Sequence, residues 1–246
     1  MADTKTSSLD SPLIVGIVGK MGVGKDFIGS ALATTFREAS FPAMMLALAD
    51  PLKFCAMRED ASIKSEDVFG PTKTAAVRQV LQQVGGRERE RCGPDVWVQE
   101  LLATIALHHR RDNALAFIVT DVRFVNEAKA LKDAGALLIL VNAPIRNATC
   151  LDREAAGDEA VRLRISSHCS ETESDSPEMK ELCEEKIDND PGCLPPSNAD
   201  AGLYVIAFKK LASQFPKDTG IAGDAVKQDV SPTIAVVSLS PSGFEF

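Results

Sequence analysis

Residues 13–36 read LIVGIVGKMGVGKDFIGSALATTF, and this stretch decides the fold. Leu13 to Val18 is an unbroken, largely β-branched apolar run, the pattern of a strand buried on both faces. Gly19-Lys20-Met21-Gly22-Val23-Gly24-Lys25-Asp26 follows with the spacing G-x-x-x-x-G-K. From Asp26 onward Ile28, Ala31, Leu32, Thr35 and Phe36 recur at helical spacing. Strand, glycine-rich turn and helix in that order form the context in which this spacing holds polyphosphate. The glycines let the chain wrap with its N–H groups turned inward, and the helix brings its positive end to the same point. Lys25 then reaches the outer phosphates of a nucleotide such as ATP, cradled by Gly19, Lys20, Met21, Gly22, Val23 and Gly24. Asp26 stands where a serine or threonine normally offers a hydroxyl to magnesium; a carboxylate is also a hard oxygen ligand, so Mg2+ remains expected. The plain alternative is a glycine-rich turn in which Asp26 only caps the helix.

Working outward, Ser40-Phe41-Pro42 interrupts the helical pattern and Ala43 to Ala49 is a second apolar run, which makes β-α-β and implies a parallel sheet with a right-handed crossover. A helix is expected from about Thr72 to Val84, stopped by Gly85-Gly86. Another begins near Pro94-Asp95 with Trp97, Leu101, Leu102 and Ile105 on one face. Ala116 to Thr120 reads as a third strand, Glu127 to Ala134 as a short helix closed by Gly135, and Ala136 to Val141 as a fourth strand. Beyond Pro144 the periodicity weakens; Glu185 to Asp188 suits a fifth strand. Gly202 to Phe215 reads as a final helix, with Tyr204-Val205-Ile206 equally suited to a strand. The alternation of strands and helices gives an α/β class.

The chain has 246 residues, 45% hydrophobic and 25% charged, which suits one α/β domain and excludes collagen-like, disordered and disulfide-scaffold classes. Its net charge of −8 is concentrated: residues 171–190 hold nine acids against Lys180 and Lys186, and the remainder is close to neutral. No basic face for a nucleic-acid polymer is implied, and the acidic run reads as solvated surface. Six cysteines show neither C-x-x-C nor zinc spacing, which points to free thiols in a reducing compartment. With a polar N-terminus and no long apolar window, a cytoplasmic protein without a membrane anchor is expected.

The apolar run from Leu115 to Val119 leads into Asp121, an acid at a strand end in the position that holds magnesium or its waters. Arg123 lies two residues on, and strand alternation would put it on the same side as Asp121. A cation beside a metal site implies a second anion.

Taken in order, Gly24-Lys25-Asp26, Ala49-Asp50-Pro51-Leu52-Lys53, Arg78 with Leu81-Gln82 and Gly85, Arg87 and Arg91, Pro94-Asp95-x-Trp97, Asp121-Val122-Arg123-Phe124-x-Asn126-Glu127-Ala128, and His168-x-Ser170-Glu171 resemble the deoxynucleoside monophosphate kinases best known from bacteriophages. The resemblance covers roughly residues 13–190, and Asp121 to Ala128 is its most specific part. It implies an adenylate-kinase-like P-loop fold, and the kinase domain is placed at 13–215 after a polar leader at 1–12 that is read from its composition. A helical substrate-binding insertion would occupy about 51–112 and a lid would lie within 144–170; residues 216–246, rich in Gly, Ser and Pro without periodicity, lie outside the match and read as a flexible tail. Val125 departs from the usual proline and Phe27 from a small polar residue. Animal-type phosphomevalonate kinase is also similar, through Gly24-Lys25-Asp26-Phe27, Pro51-Leu52-Lys53, Arg78 and the strand-end Asp-x-Arg.

The resemblance implies transfer of the γ-phosphoryl of ATP to a deoxynucleoside monophosphate, two small-molecule partners, and leaves a homodimer open. Lys25 would hold the donor, Asp26 and Asp121 the Mg2+ or its waters, and Arg123 with Arg87 or Arg91 the acceptor phosphate. Lys53, Arg78, Gln82, Trp97 and Glu127 are further substrate-side candidates, and Arg146, Arg162, Arg164 and His168 are lid candidates. Each has a plainer reading. Arg87 and Arg91 suit ion pairs with neighbouring Glu88 and Glu90 in a charged loop, Arg162 and Arg164 a solvated helix face, Trp97 core packing, and Gln82 an exposed helix position. A nucleotide-binding switch is the alternative from another class, although no Asn-Lys-x-Asp base-recognition element is present.

Overall fold

The computed structural model describes residues 11–38, 41–70, 73–112 and 116–191. The expected helix at 202–215, the tail at 216–246 and most of the leader lie outside these residues. Five strands form one parallel sheet: β1 (Leu13–Val18), β2 (Ala43–Ala47), β3 (Ala116–Val122), β4 (Leu137–Asn142) and β5 (Glu185–Asp188), in the order β2-β3-β1-β4-β5. This is an α/β architecture, a parallel sheet with helices packed on both faces. The order changes direction around β1, and the crevice at the carboxyl ends of β1 and β3 is where such sheets place a ligand.

β1 is buried along its whole length, so its side chains feed two cores. Leu13, Val15 and Ile17 meet Ile28, Leu32 and Phe36 of α1 (Lys25–Glu38) on one face. Ile14 and Val18 join Val98, Leu101 and Ile105 of α5 (Val96–Asp112) and Leu131 of α6 (Val125–Asp133) on the other. Each such side chain contributes about 1.5–3 kcal/mol on leaving water. β5, at the edge, alternates half-buried and exposed residues.

Between β2 and β3 lie α2 (Ala49–Glu59), α3 (Ser65–Phe69), α4 (Ala75–Cys92) and α5. The expected stop at Gly85-Gly86 is corrected: α4 runs through both glycines and ends at Gly93, whose φ of +99° breaks the helix. A side-chain carbon at Gly85 would stand 3.4 Å from Leu52 of α2, an ordinary van der Waals contact. Arg87 and Arg91 are therefore helical, not in a loop. After β4 come α7 (Pro144–Ala155), α8 (Glu159–Ser166), the short α9 (Cys169–Thr172) and α10 (Pro177–Leu182). No described helix is long and apolar enough to cross a membrane.

Candidate active site

The loop after β1 turns at Gly22, where φ is +75° and any side chain would collide with Cys150 of α7. The loop is held from outside. The Asn147 amide donates to the Met21 carbonyl at 2.7 Å and the Asn189 amide to the Val23 carbonyl at 2.8 Å. Lys20 pairs with Asp175. With these outward groups engaged, α1 starts at Lys25 with its N-terminus at the loop and Asp26 in its first turn.

Lys25 is buried, and its ammonium donates to the Lys20 carbonyl at 2.7 Å. Burial, helped by the nearby charge of Arg123, pushes its pKa down to about 8, while Asp121, Glu171 and Asp26 oppose the shift. The same four groups that set this balance are the ones gathered around the lysine.

Asp121 carries φ of +65°, the left-handed region that aspartate tolerates better than most residues. The register of β3 against β1 slips at this point, between Val119 and Val122. Strand alternation is thus not what brings Asp121 and Arg123 together; the turn at Asp121 does, and Arg123 lies beyond the strand with a guanidinium nitrogen 3.8 Å from the Asp121 carboxylate. A strained acid at this position fits a group held for a ligand rather than for packing. Asp26 and Asp121, both carboxylates in electrostatic range of Lys25 and Lys73, suit Mg2+, which commonly takes one or two carboxylates together with substrate phosphates.

Facing these groups is a set of cations. Lys73 is half-buried, and its pKa is lowered by burial and then by Lys53 and Arg78, with Asp121 and Asp26 opposing. Lys53 is anchored by Asp50 at 2.7 Å and sits 4.8 Å over the Phe69 ring. Arg78 reaches across to Glu154 of α7 at 2.9 Å. Arg78, Gln82 and Arg89 share one face of α4 by their spacing. Arg89 lies over the Phe124 ring at 4.6 Å and approaches Glu127 at 3.4 Å.

The other expected residues stand elsewhere. Arg87 pairs with Glu59 at 2.6 Å, and Arg91 with Glu88 at 2.5 Å. Arg91 and buried Trp97 line a cavity of about 430 Å³ between α2, α4 and α5, which no phosphate-loop residue borders. Glu127 is buried and accepts the Arg123 and Phe124 amides at 3.1 Å, so it caps α6; burial raises its pKa and those amides oppose the rise. Arg146 bonds the Asn189 carbonyl, Arg162 bonds Asp152, and Arg164 is exposed on α8. His168 caps α9, its Nδ1 accepting the Ser170 amide at 3.2 Å.

The reading of residues 171–190 as solvated surface holds for Asp175, Glu178, Glu181, Glu184 and Asp188, which are exposed, and is corrected for Glu171 and Asp190, which are buried. Glu171 bonds the Met21 amide and Arg123, Glu173 the Val125 amide, and Asp175 pairs with Lys20. Asp190 caps α7 through the Ile145 and Arg146 amides, each at 3.0 Å. The segment is an acidic clasp around the loop and the β3–α6 turn. Sequence reasoning missed Lys73, Arg89, Asn147 and Asn189. Only Arg89 carried a signal, its helical register with Arg78 and Gln82.

No protein-family model matches the chain, and no curated protein matches it in sequence. Among solved structures it is similar to shikimate kinase from Acinetobacter baumannii in complex with shikimate, at 15% identity and a TM-score of 0.46, over 82% of this chain and 97% of that one. It is also similar to the APS kinase of Mycobacterium tuberculosis in complex with AMPPNP and APS, at 13% identity and a TM-score of 0.41, over 82% of this chain and 98% of that one.

Proposed function

We propose that the protein is a phosphotransferase that moves the γ-phosphoryl group of ATP to the phosphate of a deoxynucleoside monophosphate. The observation that carries the reading is that Lys53, Lys73 and Arg78 lie within electrostatic range of one another and of Asp121 and Asp26. A cationic group of this kind suits a phosphorylated acceptor placed beside the donor phosphates. The deoxynucleotide identity of the acceptor rests on the family resemblance over Asp121 to Ala128.

The acceptor oxygen is ionised near neutral pH, so no general base is needed and rate comes from positioning and charge neutralisation. Lys25 and the loop amides hold the donor phosphates. Bound Mg2+ would supply charge neutralisation at the phosphates, held by Asp26 and Asp121. Arg123 orients the acceptor phosphate, with Lys53, Lys73 and Arg78 completing its neutralisation. Helices α7 and α8, as a lid, exclude water, which competes as an acceptor.

The test is ADP release from Mg-ATP with each deoxy- and ribonucleoside monophosphate and with phosphomevalonate. Acceptor-dependent release is expected with a deoxynucleotide, and Arg123→Ala is expected to raise the acceptor KM or lower transfer while ATP affinity is kept. Activity with phosphomevalonate alone would replace the acceptor, and ATP binding with no transfer would make the protein a switch.

A further inference from the structure

Glu171 is among the buried acids of the described residues, and the proposed chemistry gives it no part. Its carboxylate tolerates burial because both oxygens are bonded: Oε2 accepts the Met21 N–H at 2.9 Å, and Oε1 accepts from Arg123 Nη1 at 2.6 Å. The first partner belongs to the phosphate loop. The second is the guanidinium assigned to the acceptor, which on its other side stands 3.8 Å from Asp121. A single carboxylate therefore ties the position of Arg123 to the loop that holds the donor. The fold spends a helix start on aiming it: His168 caps α9, and Glu171 lies in that helix's first turn.

We infer that Glu171 is a positioning residue that fixes the Arg123 guanidinium relative to the phosphate loop, so that donor and acceptor phosphates meet in line. The inference rests on the assignment of Arg123 to an acceptor phosphate. A charge-assisted bond of this kind sets angle as well as distance, and misplacement of a reacting group by about 1 Å costs on the order of a hundredfold in rate. Glu171→Gln keeps the volume and an oxygen for the Met21 amide but removes the charge that holds Arg123. Glu171→Asp keeps the charge and withdraws it by one carbon.

The experiment has two readouts. The first is the Arg123 guanidinium N–H resonance in the ligand-free protein, identified by its loss in Arg123→Ala. It is expected to be sharp and slowly exchanging in the wild type and broadened in Glu171→Gln, and an unchanged resonance overturns the inference whatever the protein phosphorylates. The second is a double-mutant cycle on transfer at a pH near 6.5, well below the Lys25 pKa of about 8. Glu171→Gln is expected to lower kcat/KM for the acceptor by about tenfold to a hundredfold, with ATP affinity held, partial recovery in Glu171→Asp, and no further loss when added to Arg123→Ala. Losses that multiply in the double variant, or an ATP affinity that falls as far as transfer does, show a role in the loop alone and overturn it. If no acceptor supports transfer in the wild type, the proposed function fails while the resonance still decides the positioning.

Discussion

Lys25 shows a conflict between binding and stability within one residue. Its pKa is held at about 8 in the folded protein against 10.5 when free. Below pH 8 the folded state carries the whole cost of a buried charge, on the order of 3 kcal/mol. Between these two values the folded protein releases its proton first, so this contribution makes stability rise with pH. On the proposed function the ATP phosphates would need the protonated form, so nucleotide affinity should run the other way and fall by up to about tenfold per pH unit above the folded value. Lys25→Met is expected to raise the Tm of the ligand-free protein while abolishing ATP binding, read by thermal unfolding and calorimetry. A lower Tm would show that the bond to the Lys20 carbonyl outweighs the burial cost.

At the scale of elements, β1, its loop and α1 were legible because three independent signals coincide: a two-sided apolar strand, spaced glycines and a helical repeat. Helix α4 was not. Glycine lowers helix propensity, but propensity is a weak prior that tertiary context overrides, and the packing of α4 on α2, with Leu52 beside Gly85, is a tertiary fact. Gly86 is different, because a side-chain carbon there would meet nothing within 4 Å. Gly86→Ala should therefore stabilise the protein by about 0.5–1 kcal/mol through helix propensity, measured by urea unfolding. Destabilisation would mean that the backbone at Gly86 is needed for something the helix alone does not explain. The pairing of Asp121 with Arg123 was anticipated on the wrong ground, since the left-handed turn at Asp121 replaces the strand alternation.

Across the whole molecule, the phosphate loop is held largely by residues far from it in sequence: Asn147, Glu171, Asp175 and Asn189. This explains why the two buried acids, Glu171 and Asp190, stand apart from the mostly exposed remainder of the acidic segment. Local charge density is the same for a solvated face and for a clasp, and only the chain's return beyond β4 brings Glu171 to an amide 150 residues away and Asp175 to Lys20. On the proposed function, the donor side of the site is local in sequence, whereas the acceptor side would be assembled from α2, α4, β3 and α9 and shows in the sequence only in fragments such as Arg78 and Arg123. The central claim is that these two sides act on one phosphoryl group. Phosphorus NMR of the full chain with Mg-ATP and a deoxynucleoside monophosphate tests this directly. The account predicts that the γ signal of ATP falls as the β signal of a deoxynucleoside diphosphate appears, with ADP in equal amount. Loss of the γ signal to inorganic phosphate, with the monophosphate unchanged, would contradict it.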